Sequence, residues 1–209
     1  MPVLIRRISI GKWRDYCRES SGRRGFLYRL FGMPHYCAPA DAITNCLKTT
    51  NNQLSMWLLP DEGKLNDVLL ALCTGTKANG VSTIDYIRID TSDLEAIGLR
   101  YVQSSDDADT AVPALKDLHY DVSGFDYRTL GFFQDIVVKR VKEGHTHRNR
   151  DTELRPIVEK AIQESRLDFA LLSDEYKKYL KKTFPGEAGV PDVTKDPLVC
   201  PHCGEMITQ

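Results

Sequence analysis

Five residues near the end of the chain, Cys200-Pro201-His202-Cys203-Gly204, hold the most specific chemistry in its 209 residues. Two cysteines separated by two residues can turn both thiolates toward one metal ion, and a proline after the first with a glycine after the second suits the tight turn this needs. Structural zinc takes four protein ligands, and the sequence has no second Cys-x-x-Cys, so the pair is half a site. The stretch 144–151, Gly-His-Thr-His-Arg-Asn-Arg-Asp, is the first source of the rest. If it is extended, His145 and His147 project to one side and can join Cys200 and Cys203 on one zinc; on a helix they diverge. A dimer in which each subunit donates one cysteine pair is a second route, and an unligated tail a third.

The pentapeptide resembles one knuckle of a zinc ribbon, over five residues only. Cys-Pro-His-Cys is also similar to the dithiol of thiol oxidases with a thioredoxin-like fold, which implies a thiol activated at a helix N-terminus. Six residues follow Cys203, too few for that helix and the sheet beside it, so the redox reading is disfavoured. Cys17, Cys37, Cys46 and Cys73 show no ligand spacing and read as small buried hydrophobes.

Three further groups of residues invite chemistry. His119 lies in a loop-like segment with Asp117, Asp121 and Asp126, where a carboxylate could orient it as a general base. Arg148 and Arg150 flank the histidine pair just before an expected helix N-terminus, a place that favours phosphate. Residues 1–30 carry a local charge of +6, with Arg6, Arg7, Arg23 and Arg24 among aromatic residues, so nucleic acid is a conceivable partner. Residues 85–121 carry −6, and the two patches can equally pair within the fold or between copies. Phosphate-loop, dinucleotide, nucleophile-elbow and His-Glu-x-x-His motifs are all absent.

The elements that must hold these residues read as an α+β fold. Apolar periodicity gives strands at Val3–Ile10, Asn52–Leu59 and Val81–Asp90, and an extended segment over Arg100–Ser105. Helices follow over 41–50 and over 65–74 with Gly75 as a left-handed cap. A further helix carries a Ser92/Glu95 capping box and ends at Gly98. The pattern predicts a small mixed or mainly antiparallel sheet with helices on one side. From about residue 126 the chain turns helical, with Leu130, Phe133, Ile136 and Val141 on one face up to Gly144 and a late helix starting near Ser173. One domain is expected over 1–184, then a flexible proline- and glycine-rich tether over 185–199 spanning on the order of 20 Å, then the knuckle over 200–209. No secretion signal or membrane span is legible, which with six cysteines predicts a cytoplasmic protein.

Two functions fit these observations. The favoured one is a non-enzymatic protein that binds another protein or itself, with a zinc knuckle at its end. The other is a nucleotide- or nucleic-acid-directed enzyme using His119, or His145 and His147, with nearby arginines. An enzyme gathers its histidines and cations into one concave site; a binding module leaves them dispersed beside a contact patch. If zinc closes within one chain, native mass spectrometry finds one zinc per monomer, lost on chelation and in the Cys200→Ser/Cys203→Ser variant. Half a zinc per chain in a dimer that chelation dissolves assigns the knuckle to assembly, and no zinc in either protein removes the reading.

Overall fold

Consecutive apolar residues in the strands, such as Leu4-Ile5 and Met56-Trp57, require cover on both faces of the sheet, because neighbouring side chains point opposite ways. The structure, a computed structural model, describes residues 2–17, 40–47 and 49–186. The chain runs β1 (Val3–Arg7), α1 (Ile10–Cys17), α2 (Ala40–Cys46), β2 (Leu54–Leu59), α3 (Leu65–Cys73), β3 (Ile84–Asp90), α4 (Thr91–Ala96) and β4 (Arg100–Gln103). It continues through β5 (His119–Ser123), α5 (Tyr127–Lys142), β6 (Thr146–Asn149), α6 (Asp151–Gln163) and α7 (Asp174–Thr183). The six strands form one sheet in the order β4-β5-β2-β1-β3-β6, every pair antiparallel. The expected α+β class holds, with a helical C-terminal region. Among the described residues no helix is long and apolar enough to cross a membrane.

Helices cover both faces rather than one. Ile5, Trp57, Leu59, Ile84 and Tyr86 join a cluster with α3, α6 and α7. Leu4, Met56, Ile87, Ile89 and Val122 join a second cluster with α1, α2, α4 and α5. Alternate residues of each central strand therefore enter different cores, and a fully buried aliphatic side chain contributes about 1.5–3 kcal/mol.

Local signals explain where the elements start and stop. Asp126 accepts N–H bonds from Arg128 (2.8 Å) and Thr129 (2.7 Å) at the head of α5, and the Thr129 hydroxyl accepts from the Asp126 N–H in return. Those bonds, the Thr129 N–H first, hold the Asp126 carboxyl below its usual pKa. Ser173 caps α7 through the Tyr176 N–H (3.1 Å) and donates to the Ala78 carbonyl (2.6 Å), tying the helix to the α3–β3 loop. Gly98 and Gly144 do adopt positive φ, but Gly75 does not, and α3 closes on Thr74 instead. The α4 helix begins one residue before Ser92, so the expected capping box is not formed.

One ion cluster joins the second helical layer to the sheet. Arg140 of α5 is 9% exposed and reaches Asp90 at the end of β3 and Asp93 of α4, with Nε 3.0 Å from Asp93 Oδ2. Burial pulls the guanidinium pKa down, but the bonds to Asp93 and Asp90 outweigh it and hold the pKa above the usual arginine value. Arg140→Ala leaves two carboxylates facing each other without a counter-charge. The expected loss is about 2 kcal/mol in denaturant unfolding, less than the roughly 3–5 of a fully buried pair because both aspartates keep some water contact. An unchanged midpoint would show that the cluster is not a structural tie.

Candidate functional site

Two cross-strand rows on the first face build the site. One row holds Ile5, Trp57 and His119; the next holds Ser55 and Asp121. Continuing the β1–β2 register by two residues puts Arg7, whose other neighbour is Tyr86, opposite Ser55. Over these positions the covering layer gives way to loops. The result is a cleft of ≈ 360 Å³ lined by Arg7, Ser55, Trp57 and His119 from the sheet and by Gly75, Lys77, Asp107 and Asp109 from the loops. A Cβ at Gly75 would lie 3.1 Å from Asp109 Oδ2, so the absence of a side chain there sets how closely the two loops approach. A smaller hollow of ≈ 210 Å³ shares Ser55 and Asp107 with the cleft.

His119 is the best-defined group in the cleft. It opens strand β5 rather than sitting in a loop, is 2% exposed, and stands edge-on to Trp57 with ring centroids 5.2 Å apart. Its Nδ1 lies 2.9 Å from the Ser104 carbonyl oxygen. A carbonyl only accepts, so Nδ1 carries the proton and the neutral ring keeps its lone pair on Nε2. Ser104 grips the histidine twice, since its own N–H donates to the His119 carbonyl (3.0 Å). The Ser104 hydroxyl donates to Asp121 Oδ2 (2.6 Å) and lies 3.3 Å from Asp107 Oδ2, and Ser55 donates to Asp121 Oδ1 (3.3 Å). The expected carboxylate-oriented histidine is thus a carbonyl-oriented one. Asp121 acts through serine, Asp117 accepts from the Ser105 hydroxyl (2.8 Å), and Asp126 caps α5.

The charges around His119 are mixed. Arg7 and Lys77 make no side-chain hydrogen bond or ion pair among the described residues. Asp109 is partly neutralised by the Thr76 N–H (2.6 Å). Behind the cleft wall, burial pushes the Cys73 thiol up to about 12, against the pull of Arg7, so no thiolate nucleophile forms there. No family model, curated protein or solved structure matches the chain. Function must therefore be argued from this geometry alone.

The other residues singled out from sequence lie elsewhere. His145 and His147 are at the opposite edge of the sheet, four strand spacings or about 20 Å from His119. The stretch is extended: His147 pairs with Tyr86, and the Arg88 N–H donates to the His145 carbonyl (3.1 Å), so both histidines share the first face. The His147 ring stacks on Tyr86 at 5.1 Å, and burial, with help from nearby Arg88 and His145, lowers its pKa. Among the described residues no three His, Cys, Asp or Glu side chains gather as a metal group. Cys200 and Cys203 lie outside the described residues, as do most of the 185–199 tether and Arg23 and Arg24.

Arg6 and Arg148 are occupied within the fold. Arg6 points to the second face and donates to the carbonyls of Cys46 (3.2 Å) and Ser55 (2.6 Å), and burial lowers its pKa. Arg148 forms a two-pronged pair with Asp85 (2.6 and 2.8 Å). The expected phosphate position at the head of α6 is filled by acidic side chains of its own first turn: Glu153 accepts the Arg150 N–H (2.6 Å), and Asp151 pairs with Arg155. Arg150 remains beside that acidic turn.

Ser104, Ser55, Lys77, Asp107 and Asp109 escaped the sequence reading. Only Ser55 left a trace, as the one polar residue of an apolar strand, Leu-Ser-Met-Trp-Leu-Leu, and it stays exposed where the cleft opens. The hydrogen bond to Ser104 predicts the neutral His119 tautomer. Long-range ¹H–¹⁵N spectra of the imidazole should show a protonated Nδ1 and a bare Nε2; the opposite pattern would contradict the geometry described.

Proposed function

We propose that the cleft binds a small phosphate-bearing ligand and that His119 transfers a proton on it, the chemistry of a nucleotide-directed enzyme. One observation carries this reading: a buried, orientation-fixed histidine shares a cleft with two cations that lack partners among the described residues. Arg7 and Lys77 hold the phosphate oxygens. His119 Nε2 takes the proton of a water or hydroxyl as its oxygen bonds to phosphorus, and the imidazolium returns that proton to the ester oxygen whose bond to phosphorus breaks. The Ser104 carbonyl keeps Nδ1–H in place in both states. The cleft volume falls at the lower end of the range for small-molecule sites.

A second reading keeps one observation. His147 of edge strand β6 and His145 just before that strand share a face, the arrangement that docking of Cys200 and Cys203 through zinc requires. In that case the zinc pins the tail within one chain of a non-enzymatic binding protein, and one zinc per monomer in the native-mass experiment described above is the outcome that supports it.

The test of the first reading is a titration of the full chain with inorganic phosphate, following the His119 ring resonances and Trp57 fluorescence. Both should respond saturably. Arg7→Gln/Lys77→Gln should weaken binding by about tenfold or more, the loss expected when a charge-assisted hydrogen bond is removed. No response of His119 at millimolar phosphate would overturn the proposal.

A further inference from the structure

The hollow beside the His119 cleft differs from it in chemistry. Thr50, Asn51, Gln53, Ser55, Asp107 and Asp121 line it, so it offers two carboxylates, two amides and two hydroxyls with neither a cation nor an apolar side chain. Its outer wall is a two-residue hairpin, with reciprocal Thr50–Gln53 backbone bonds of 2.9 Å. Asn51 and Asn52 both adopt positive φ there, which asparagine tolerates better than most residues. Asp121 lies at the floor, 7% exposed, and Asp107 at the rim with a single long bond to Ser104.

An anionic group is repelled by this lining, and an apolar group would strip water from two carboxylates without replacing it. Neutral hydroxyls suit it: each donates to a carboxylate oxygen, and the amides answer the hydroxyl lone pairs. The hollow meets the cationic cleft at Ser55 and Asp107. Asp121 and Arg7 are two strand spacings apart, about 10 Å between backbones before their side chains reach inward. Resting on the phosphate reading above, we infer that the ligand is the phosphate ester of a polyol, of the pentose phosphate or nucleoside monophosphate class. Its phosphate sits between Arg7 and Lys77 and its vicinal hydroxyls on Asp107 and Asp121.

Isothermal titration of the full chain with inorganic phosphate, ribose 5-phosphate and O-phosphoethanolamine separates this inference from the reading it rests on. Ribose 5-phosphate should bind about tenfold tighter than phosphate, the gain expected of a hydroxyl–carboxylate bond. Asp107→Asn should erase that gain when ribose 5-phosphate and phosphate are compared on the same variant. Equal affinity for phosphate and ribose 5-phosphate, or tighter binding of phosphoethanolamine, would overturn the polyol inference while leaving phosphate binding in place. Binding of none of the three would bring down both.

Discussion

Each central strand of the sheet is packed on two sides, and that constraint governs where this chain can place a polar group. With one helical layer over Ile5, Trp57 and Tyr86 and another over Leu4, Met56 and Ile89, a strand residue has nowhere to meet water except where a layer is interrupted. A buried polar group that lacks a partner costs about 1–3 kcal/mol, so every exception must be answered locally. Arg6 is answered by two carbonyls, and Arg140 by two aspartates. The concentration of Arg7, Ser55, His119 and Asp121 on neighbouring strands is the largest exception, and it coincides with the interruption.

The gap works as a site because its floor is stiff and its walls are loops. His119 and Asp121 are anchored in the ladder of β5 against β2, and Ser104 links them from the end of β4. A single serine thus supplies a carbonyl to the imidazole and a hydroxyl to the carboxylate. This leaves the histidine with one nitrogen committed and one available. The cations and the remaining carboxylates come from the end of β1 and from segments 75–78 and 104–109, where side chains can adjust to a ligand.

Legibility in the sequence divides along range. Periods of two and near four placed β2, β3, β4, α3, α5 and α7 correctly, because those signals depend on neighbours within a few residues. The α1 helix was missed since Ile8 and Ile10 extend the β1 pattern and hide the break at Ser9. Strand β5 was missed since His119, Tyr120 and Asp121 look like loop residues until Trp57 and Ser55 are known to lie across from them. The same holds for the site: His119 was visible as a residue type, but its partner Ser104, fifteen positions earlier, is brought in by the pairing of β4 with β5, which no local pattern announces. Arg6 and Arg7 look equivalent in the sequence, and strand alternation sends one to the second face of the sheet and the other to the cleft.

The two outermost strands, Arg100–Gln103 and Thr146–Asn149, have only four residues each, fewer than any other strand in the sheet. An unpaired strand edge is a template on which another chain can add, and the length of free backbone sets how much it offers. Here a polar Gln103 and Arg100 bracket the exposed Val102 on one side, and a positive Arg148 beside His147 stands on the other. The sheet therefore ends in two stubs that protect it from edge-to-edge polymerisation by brevity and charge, and lengthening either strand by a few apolar residues would trade that protection for aggregation.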